Sequence, residues 1–452
     1  MPLTPAPALL HTVLTARDGG ARLRRQPALR PASCDAGRGK VLVDVESAFQ
    51  IMFGFGGAFT EAAALTWLGL NDRGRQALLT DYFDTERGHG YSLCRVHMGS
   101  CDFARGNYAH VERPGDTSLS SFSIERDRQS LIPFIQAAQR ARRAPLKLLA
   151  SPWSPPAWMK SNGRMNDGGT LLPEFRTAWA QCYVRFIQAY AAEGIPIWGV
   201  SVQNEPDAVQ RWDSCVYSAI QERDFVRDYL GPQLHAAGLS NVRILIWDHN
   251  RDLMLDRATV IFSDPGAAQY VWGTGFHWYG EDYFEHVQAV HDAFPEKHLL
   301  FTEGCQEGGP HRDSWELGER YARSMIHDLN RWTEGCIDWN LLLDERGGPN
   351  HAGNYCSAPI LATPDGNLAH QSSYFYIGHF SRYVRSGARR VACAVSDPSL
   401  EASAFVNPDR SRAVVVLNRT ESACRFSLEI DGRTYLPELP PRSIATYVLA
   451  PP

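Results

Sequence analysis

The stretch that decides the fold is Trp198-Gly199-Val200-Ser201-Val202-Gln203-Asn204-Glu205-Pro206. Its first six residues predict a short buried strand, because β-branched and small side chains lie between a glycine and a polar end. Asn204 and Glu205 follow directly where the strand ends, and Pro206 stops further strand pairing. Since chemistry gathers at the carboxyl ends of parallel strands, we predict that Glu205 lies at the mouth of a barrel or sheet.

A second apolar run, at residues 299–302, ends in Glu303. Around these two runs the chain alternates between strand and helix patterns, and we expect a closed parallel (β/α)8 TIM barrel. The predicted strands lie at residues 53–59, 91–98, 146–150, 198–203, 243–247, 275–278, 299–302 and 337–343. The predicted helices lie at residues 71–84, 130–143, 173–193, 221–237, 316–332 and 372–384.

The two ends of the chain have a different pattern from the barrel. Short alternating runs separated by Asp-Pro, Asn-Pro-Asp and Asp-Gly turns predict an antiparallel β domain over residues 385–452. Residues 1–48 hold two extended runs, at 10–16 and 40–45, which are too few to fold alone. We therefore predict one β-sandwich built from both termini, beside a catalytic barrel over residues 49–384.

Composition excludes several classes of function. The net charge of −5 without a long basic block argues against a nucleic-acid partner. The chain has no run of 18 apolar residues and no secretory signal, so we expect no membrane insertion and a cytoplasmic location. Ten scattered cysteines without paired spacing predict mostly reduced thiols. Dispersed histidines, and the absence of a dinucleotide fingerprint or Walker sequence, predict neither a metal nor a cofactor.

Polar and aromatic residues follow several other predicted strands. The aromatic content of 11% suits a cleft that stacks on the flat faces of sugar rings. If Glu205 and Glu303 lie about 5 to 5.5 Å apart, one can protonate a leaving oxygen while the other attacks the anomeric carbon. Arg95 is placed to keep Glu303 ionised, and Asn204 and Tyr279 are placed to set the environment of the pair.

Seven stretches in the same order resemble glycoside hydrolase family 30, the family of the acid β-glucosylceramidases, over nearly the whole chain. They are Gly54-Phe55-Gly56-Gly57-Ala58-Phe59-Thr60-Glu61-Ala62-Ala63, Arg95-Val96-His97-Met98-Gly99-Ser100-Cys101-Asp102-Phe103, Ala150-Ser151-Pro152-Trp153-Ser154-Pro155-Pro156-Ala157-Trp158-Met159-Lys160, Gln203-Asn204-Glu205-Pro206, His277-Trp278-Tyr279, Glu303, and Asp338-Trp339-Asn340 with Gly347-Gly348-Pro349-Asn350.

The resemblance implies a retaining β-glycosidase and assigns roles to named residues. It makes Glu205 the acid/base, Glu303 the nucleophile and Asn204 a partner of the sugar 2-hydroxyl. It implies that Tyr279 hydrogen-bonds the nucleophile. The remaining implied contacts with the substrate are those of Asp102, Trp153, Trp339 and Asn354 on the sugar side and of Trp212 on the leaving-group side. For His277 two roles stay open, a sugar contact or a residue that orients the neighbouring carboxylate.

Departures from the lysosomal members leave the substrate open. The stretch after Glu205, residues 207–212, is polar rather than apolar, and the secretory signal and early cysteine cluster of those members are missing. A β-glucosidase is therefore expected, with β-xylosidase or β-fucosidase action, or a β-1,6-glucanase, as alternatives on the same site. A carbohydrate-binding protein without catalysis is the alternative from another class. The oligomeric state remains open.

Overall fold

The structure is a computed structural model that describes residues 9–32 and 39–451. It divides into two compact units. One comprises Phe55–Arg312 and Gly335–Ala369, and the other comprises the chain up to Gly54, Asp313–Glu334 and the chain from His370 onward. Two stretches predicted for the barrel, residues 313–334 and 370–384, thus group with the terminal β-strands.

The terminal unit is built on a nine-stranded sheet that uses both ends of the chain. The N-terminal strand β1 pairs antiparallel with the C-terminal strand β22 along its whole length, from Leu10 opposite Leu449 to Ala16 opposite Ser443. This confirms the prediction that the two termini build one β domain. The N-terminal strands are β1 (Leu10–Ala16), β2 (Arg24–Leu29) and β3 (Lys40–Ile51).

The eight barrel strands close in the order β10-β11-β4-β5-β6-β7-β8-β9, which confirms the predicted (β/α)8 barrel. Glycine is required at Gly56, because a Cβ there would lie 1.6 Å from the Leu93 carbonyl oxygen of the neighbouring strand. The barrel strands are β4 (Gly54–Phe59), β5 (Leu93–His97), β6 (Lys147–Ser151), β7 (Ile197–Ser201), β8 (Arg243–Asn250), β9 (Val271–His277), β10 (His298–Glu303) and β11 (Thr333–Asn340).

The remaining strands follow the barrel in the chain. A three-stranded sheet consists of β12 (Leu343–Asp344), β13 (Ile360–Ala362) and β14 (Leu368–His370). The C-terminal strands are β15 (Arg389–Val395), β16 (Leu400–Val406), β17 (Arg412–Asn418), β18 (Cys424–Arg425), β19 (Ser427–Ile430), β20 (Arg433–Tyr435), β21 (Glu438–Leu439) and β22 (Ser443–Leu449).

The helices begin and end where local chemistry dictates. Asn71 caps α2 (Asp72–Phe83), because its side chain accepts a hydrogen bond from the Gly74 amide. The helices are α1 (Glu61–Gly69), α2 (Asp72–Phe83), α3 (Glu125–Arg128), α4 (Leu131–Arg142), α5 (Arg176–Ala192), α6 (Ala219–Phe225), α7 (Gly231–Ala236), α8 (Met254–Phe262), α9 (Pro265–Ala268), α10 (Phe284–Ala293), α11 (Trp315–Leu329) and α12 (Ser372–Ser381).

The single helix predicted at residues 221–237 is wrong in detail. The chain forms α6, then a π-helical turn over Val226–Leu230, and then α7. Pro232 lacks the amide that an uninterrupted helix needs, and its ring crowds the carbonyl four residues earlier, so the preceding turn widens.

Helices α11 and α12 pack within the terminal unit rather than within the barrel unit. The His379 ring on α12 lies 2.9 Å from the Thr446 hydroxyl and 2.9 Å from the Thr15 hydroxyl, so it connects both ends of the chain. The His327 Nε2 on α11 lies 2.9 Å from a Glu401 carboxylate oxygen. These contacts explain why both helices belong to that unit.

Nine of the ten cysteines lie in the described residues, and all nine are free thiols, as predicted. The tenth, Cys34, lies outside the described residues. Cys305 and Cys356 are close to the barrel mouth, and burial raises the pKa of both thiols. Thiols with raised pKa values are poor nucleophiles, so neither cysteine is suited to attack a substrate.

Candidate active site

The two glutamates predicted to carry the chemistry meet at the carboxyl end of the barrel. Glu205 follows β7, and Glu303 is the last residue of β10. One carboxylate oxygen of each glutamate and one ring nitrogen of His277 all lie within 4.8 Å of one another. The closest oxygens of the two glutamates are therefore within that distance.

Glu303 is fixed by two hydrogen-bond donors. A guanidinium nitrogen of Arg95 forms a short ion pair with Oε2 of Glu303, and both side chains are buried. The Tyr279 hydroxyl donates to Oε1 of Glu303 at 2.8 Å. Since both oxygens of the carboxylate accept hydrogen bonds, the side chain has a defined orientation toward the cleft.

Arg95 also orients Asn204. Its Nη2 donates to the Asn204 Oδ1 at 2.8 Å. Because the amide oxygen is occupied by a cation, the amide nitrogen of Asn204 is the group available to a ligand. The guanidinium carbon lies 4.7 Å from the centre of the Trp153 ring, so the cation supports the cleft wall as well.

Behind the glutamates lies Asp248, which the sequence analysis did not identify. Its carboxylate is completely buried and accepts hydrogen bonds from Arg95 Nη2 at 2.7 Å and Thr302 Oγ1 at 2.6 Å. Burial raises the pKa of Asp248, but the Arg95 and His277 cations and the Ser201 hydroxyl outweigh burial and hold this pKa far below its usual value. Asp248 is therefore a permanent anion.

The structure places His277, for which the resemblance leaves open a sugar contact or an orienting role, between two carboxylates. Its ring is buried behind the glutamates, with Nδ1 at 3.2 Å from Glu205 Oε1 and Nε2 at 3.1 Å from Asp248 Oδ1. Burial lowers the pKa of His277, but the Glu303, Asp248 and Glu205 carboxylates outweigh burial and raise it to about 9.

The pKa values of the two glutamates are coupled through His277 and Arg95. For Glu205, burial raises the pKa, but the hydrogen bond from His277 and the charges of His249, His277 and Arg95 lower it overall. For Glu303, burial raises the pKa, and the His277 and Arg95 cations only partly oppose it. The cations therefore favour the ionised form of Glu205, while burial favours the protonated form of Glu303.

The sugar side predicted from the sequence forms one wall of the cleft. The rings of Trp153 and Trp339 stack with their centres 5.2 Å apart, and Phe103 meets the edge of Trp339. The Asn354 amide donates to Asp102 Oδ2 at 3.0 Å. Burial is the main reason that the pKa of Asp102 rises to about 8, although the hydrogen bond from Asn354 opposes it.

The same cavity, with a volume of about 210 Å³, is also lined by polar residues. These are Gln210, His249, Asn250 and Glu307. Trp212 lines the cavity too, and it packs against the apolar cluster that contains Trp153 and Trp339. The Asn250 Oδ1 accepts a hydrogen bond from the Tyr279 backbone amide at 2.8 Å.

Nine of the predicted site residues line this one cavity, while Arg95 and His277 are buried behind it. The nine are Glu205, Glu303, Asp102, Trp153, Asn204, Tyr279, Trp339, Asn354 and Trp212. Asp248, His249 and Asn250 could have been found by the rule that found Glu205, because they end β8 in the same way. The predicted strand ended at residue 247, and the residues that follow it were not considered as site residues.

Family models match the chain in two adjacent segments. Residues 52–384 match the glycosyl hydrolase family 30 TIM-barrel domain, and residues 387–447 match the family 30 beta sandwich domain. Within the described part of the chain, every helix is too short or too polar to cross a membrane.

Relatives extend over most of the chain. It is 37% identical over 424 residues to the lysosomal acid glucosylceramidase of Mus musculus, covering 89% of this chain and 82% of that protein. The crystal structure of SrfJ from Salmonella typhimurium is 36% identical, with a TM-score of 0.94, covering 98% and 100% of the two chains. An endo-beta1,6-glucanase structure is 28% identical, with a TM-score of 0.89 and the same coverage. The chain belongs to glycosyl hydrolase family 30, a family of retaining β-glycosidases.

Proposed function

We propose that this protein hydrolyses β-D-glucosidic bonds in two displacement steps, with Glu205 as acid/base and Glu303 as nucleophile. The observation that carries the proposal is the approach of their carboxylate oxygens within 4.8 Å across one cleft. Retaining enzymes place the two carboxyl groups about 5 to 5.5 Å apart, whereas inverting enzymes leave about 6.5 to 9.5 Å for a water molecule.

The surroundings of the two glutamates support the division of roles. Glu303 is held by Arg95 and Tyr279, which suits a side chain that must attack one carbon from a fixed direction. Glu205 is 13% exposed and lines the cavity that also holds Gln210 and Trp212. A group at this position can reach the oxygen that leaves the sugar and later the water that replaces it.

For the first step, the pKa of Glu205 must rise and the pKa of Glu303 must fall when the substrate binds. An aglycone that excludes water from Glu205 raises the pKa of this acid, and positive charge developing at the anomeric carbon lowers the pKa of Glu303. In the first step, the Glu205 proton passes to the glycosidic oxygen as Glu303 bonds to the anomeric carbon. In the second step, Glu205 takes a proton from water as the water oxygen displaces Glu303.

The sugar side supports a glucose-like ring in the innermost position. The Trp153 and Trp339 rings offer an apolar surface, and Asp102 with Asn354 offers a paired acceptor and donor for outer hydroxyls. Asn204 supports the proposal by presenting its amide nitrogen toward the cleft, where a 2-hydroxyl can accept a hydrogen bond.

The leaving-group side favours a hydroxyl-rich aglycone over a lipid. Gln210, His249, Asn250 and Glu307 present polar groups there, and Trp212 offers a flat stacking surface. A second sugar joined through its primary hydroxyl is therefore our second candidate, which makes the enzyme a β-1,6-glucanase. This candidate is supported by the four polar residues named above and by the likeness to an endo-beta1,6-glucanase structure.

The direct test is a parallel assay of an aryl β-glucoside, an aryl β-xyloside, an aryl β-fucoside, glucosylceramide and gentiobiose. We expect the aryl β-glucoside and gentiobiose to be cleaved faster than glucosylceramide, with β-glucose as the first-formed anomer by proton NMR. Sugar binding without turnover of any substrate would favour the non-catalytic alternative, and an initial α anomer would contradict the double displacement.

A further inference from the structure

The buried end of β8 has an unusual backbone. Trp247 and Asp248 both adopt left-handed conformations, with φ of 69° and 52°, and the pairing with β9 shifts register between Trp247 and His249. Left-handed conformations at residues other than glycine cost on the order of 1 to 3 kcal/mol each and persist only where the surroundings impose them. Here the bulge directs the Asp248 carboxylate into the barrel interior.

Asp248 connects the two halves of the catalytic pair. The Asp248 Oδ2 accepts a hydrogen bond from Arg95, and Arg95 also forms an ion pair with Glu303. The Asp248 Oδ1 faces His277, and His277 is also hydrogen-bonded to Glu205. The backbones of Glu205 and Asp248 are also connected, because the Glu205 amide donates a hydrogen bond to the Asp248 carbonyl oxygen at 2.9 Å. Each glutamate therefore has its own cation, and one carboxylate anchors both cations.

The charges of this cluster balance only when one glutamate is uncharged. Arg95 and His277 are the two cations, and Asp248, Glu205 and Glu303 are the three carboxylates. Before the first step of a double displacement, Glu205 is protonated. In the glycosyl-enzyme intermediate, Glu303 is esterified and Glu205 must be ionised to act as base. Two cations then face two anions in both states.

We propose that Asp248 and His277 are positioning residues of the reaction, with Asp248 holding His277 as a doubly donating imidazolium that stabilises ionised Glu205 in the second step. The inference rests on the proposed function. His277 keeps its proton throughout: the Glu205 proton goes to the leaving oxygen in the first step, and a proton of water returns to Glu205 in the second.

The charged and titratable neighbours of His277 are consistent with a protonated ring. Asp248, Glu205 and Glu303 favour the imidazolium, and their combined effect exceeds the cost of burial, so that its pKa rises to about 9. Tyr279 meets the ring edge at 5.9 Å, and burial raises the pKa of its hydroxyl, so it adds no charge. The ring centre of His249 is 6.4 Å away, and burial is the main cause that lowers the pKa of this second histidine.

The test separates the two steps with 2,4-dinitrophenyl β-glucoside, whose good leaving group makes hydrolysis of the intermediate rate-limiting. For His277→Gln we expect bond cleavage in the burst phase to change less than threefold. We expect the steady-state rate at pH 7 to fall roughly 10- to 100-fold, less than the roughly 10²- to 10⁴-fold cost of removing a general base itself. The acidic limb of the second step should move to higher pH, because Glu205 has lost its cation.

Two further variants sharpen the assignment. In Asp248→Asn, His277 loses its buried anion, so the alkaline limb of activity should move from near pH 9 toward lower pH. Thr302→Val is the matched control, because it removes a neutral hydrogen bond to the same carboxylate without changing any charge. We expect both pH limbs of the Thr302 variant to stay at the wild-type positions, whatever its rate.

Equal slowing of both steps in His277→Gln, with unmoved pH limbs, would overturn the inference while leaving the proposed function intact. No turnover by the wild-type enzyme would instead contradict the proposed function. If the variants fail to fold, nitrogen NMR of the wild-type protein labelled at histidine decides the matter. The inference requires both ring nitrogens of His277 to be protonated at pH 7, and a neutral ring would contradict it.

Discussion

The inner wall and the outer rim of the cleft are built differently. In the inner wall, Arg95, Asp248 and His277 are fully buried, and their charged groups are engaged with one another and with the two glutamates. At the rim, His249 Nδ1 is a buried polar atom without a hydrogen-bond partner among the described residues. We infer from this contrast that the inner wall controls the reaction at the anomeric carbon, and we propose that the rim selects the leaving group.

The largest expected effect distinguishes two glutamates of the same cleft. Glu303→Gln removes the nucleophile, so we expect kcat on an aryl β-glucoside to fall by roughly 10⁴-fold or more. Glu307→Gln is the matched rim variant, and we expect a loss of no more than about tenfold, because it makes no bond to the sugar carbon. Steady-state assays of both variants check this. Similar losses in the two variants would remove the distinction between wall and rim.

Loss of the acid should depend on the leaving group. We expect Glu205→Gln to lower the rate on gentiobiose by roughly 10²- to 10⁴-fold, the usual contribution of general acid catalysis. With 2,4-dinitrophenyl β-glucoside the first step needs no protonation, so the intermediate should accumulate and be rescued by azide as β-glucosyl azide. Rates for the two substrates that fall equally, without azide rescue, would contradict this role.

Replacing Asp102 should raise the thermal stability of the protein and weaken the binding of glucosides. Its folded-state pKa of about 8 exceeds the ordinary Asp value of 3.8, so the folded protein binds more protons than the unfolded one between these values. Its contribution to stability therefore declines as pH rises from about 4 to about 8.

We accordingly expect Asp102→Asn to be more thermostable than the wild type at pH 8, with the difference shrinking toward pH 4. A gain of 1 kcal/mol corresponds to roughly 1 °C in Tm for a chain of 452 residues. The same variant should bind glucosides less tightly, because an amide replaces the carboxyl group that faces the outer hydroxyls. Melting curves at both pH values and KM measurements test this, and a variant that is less stable at pH 8 with unchanged KM would count against it.

The smallest effect is expected at the rim. Trp212→Ala removes a stacking surface, which is worth about 0.5 to 1.5 kcal/mol beyond area burial, so KM for gentiobiose should rise about two- to tenfold. KM for an aryl glucoside with a small leaving group should change less. A larger effect on kcat than on KM would place Trp212 in the inner wall instead.

The sequence predicted the residues at strand ends well, because an apolar run followed by Asn204 and Glu205 or by Glu303 is visible locally. Asp248 was missed because the predicted strand ended at residue 247 and the polar residues after it were not considered. The left-handed backbone at Trp247 and Asp248 leaves no mark in the sequence pattern. The break at Pro232 was visible in the sequence and was not used.

Side-chain direction was harder to predict than chain position. His277 was correctly placed at the end of β9, but only the three carboxylates contributed by other strands and loops turn it away from the sugar side. The rim residues Gln210 and Glu307 lie on loops, where neither helical nor strand periodicity constrains the position of a side chain.

The most direct test uses 2-deoxy-2-fluoro-β-glucosyl fluoride, whose fluorine slows hydrolysis of the intermediate more than its formation. We expect the mass of the intact protein to increase by one deoxyfluoroglucosyl group, with the label on the peptide that carries Glu303. No adduct on an enzyme that turns over glucosides, or a label on any other residue, would contradict the claim that Glu205 and Glu303 share one sugar between them.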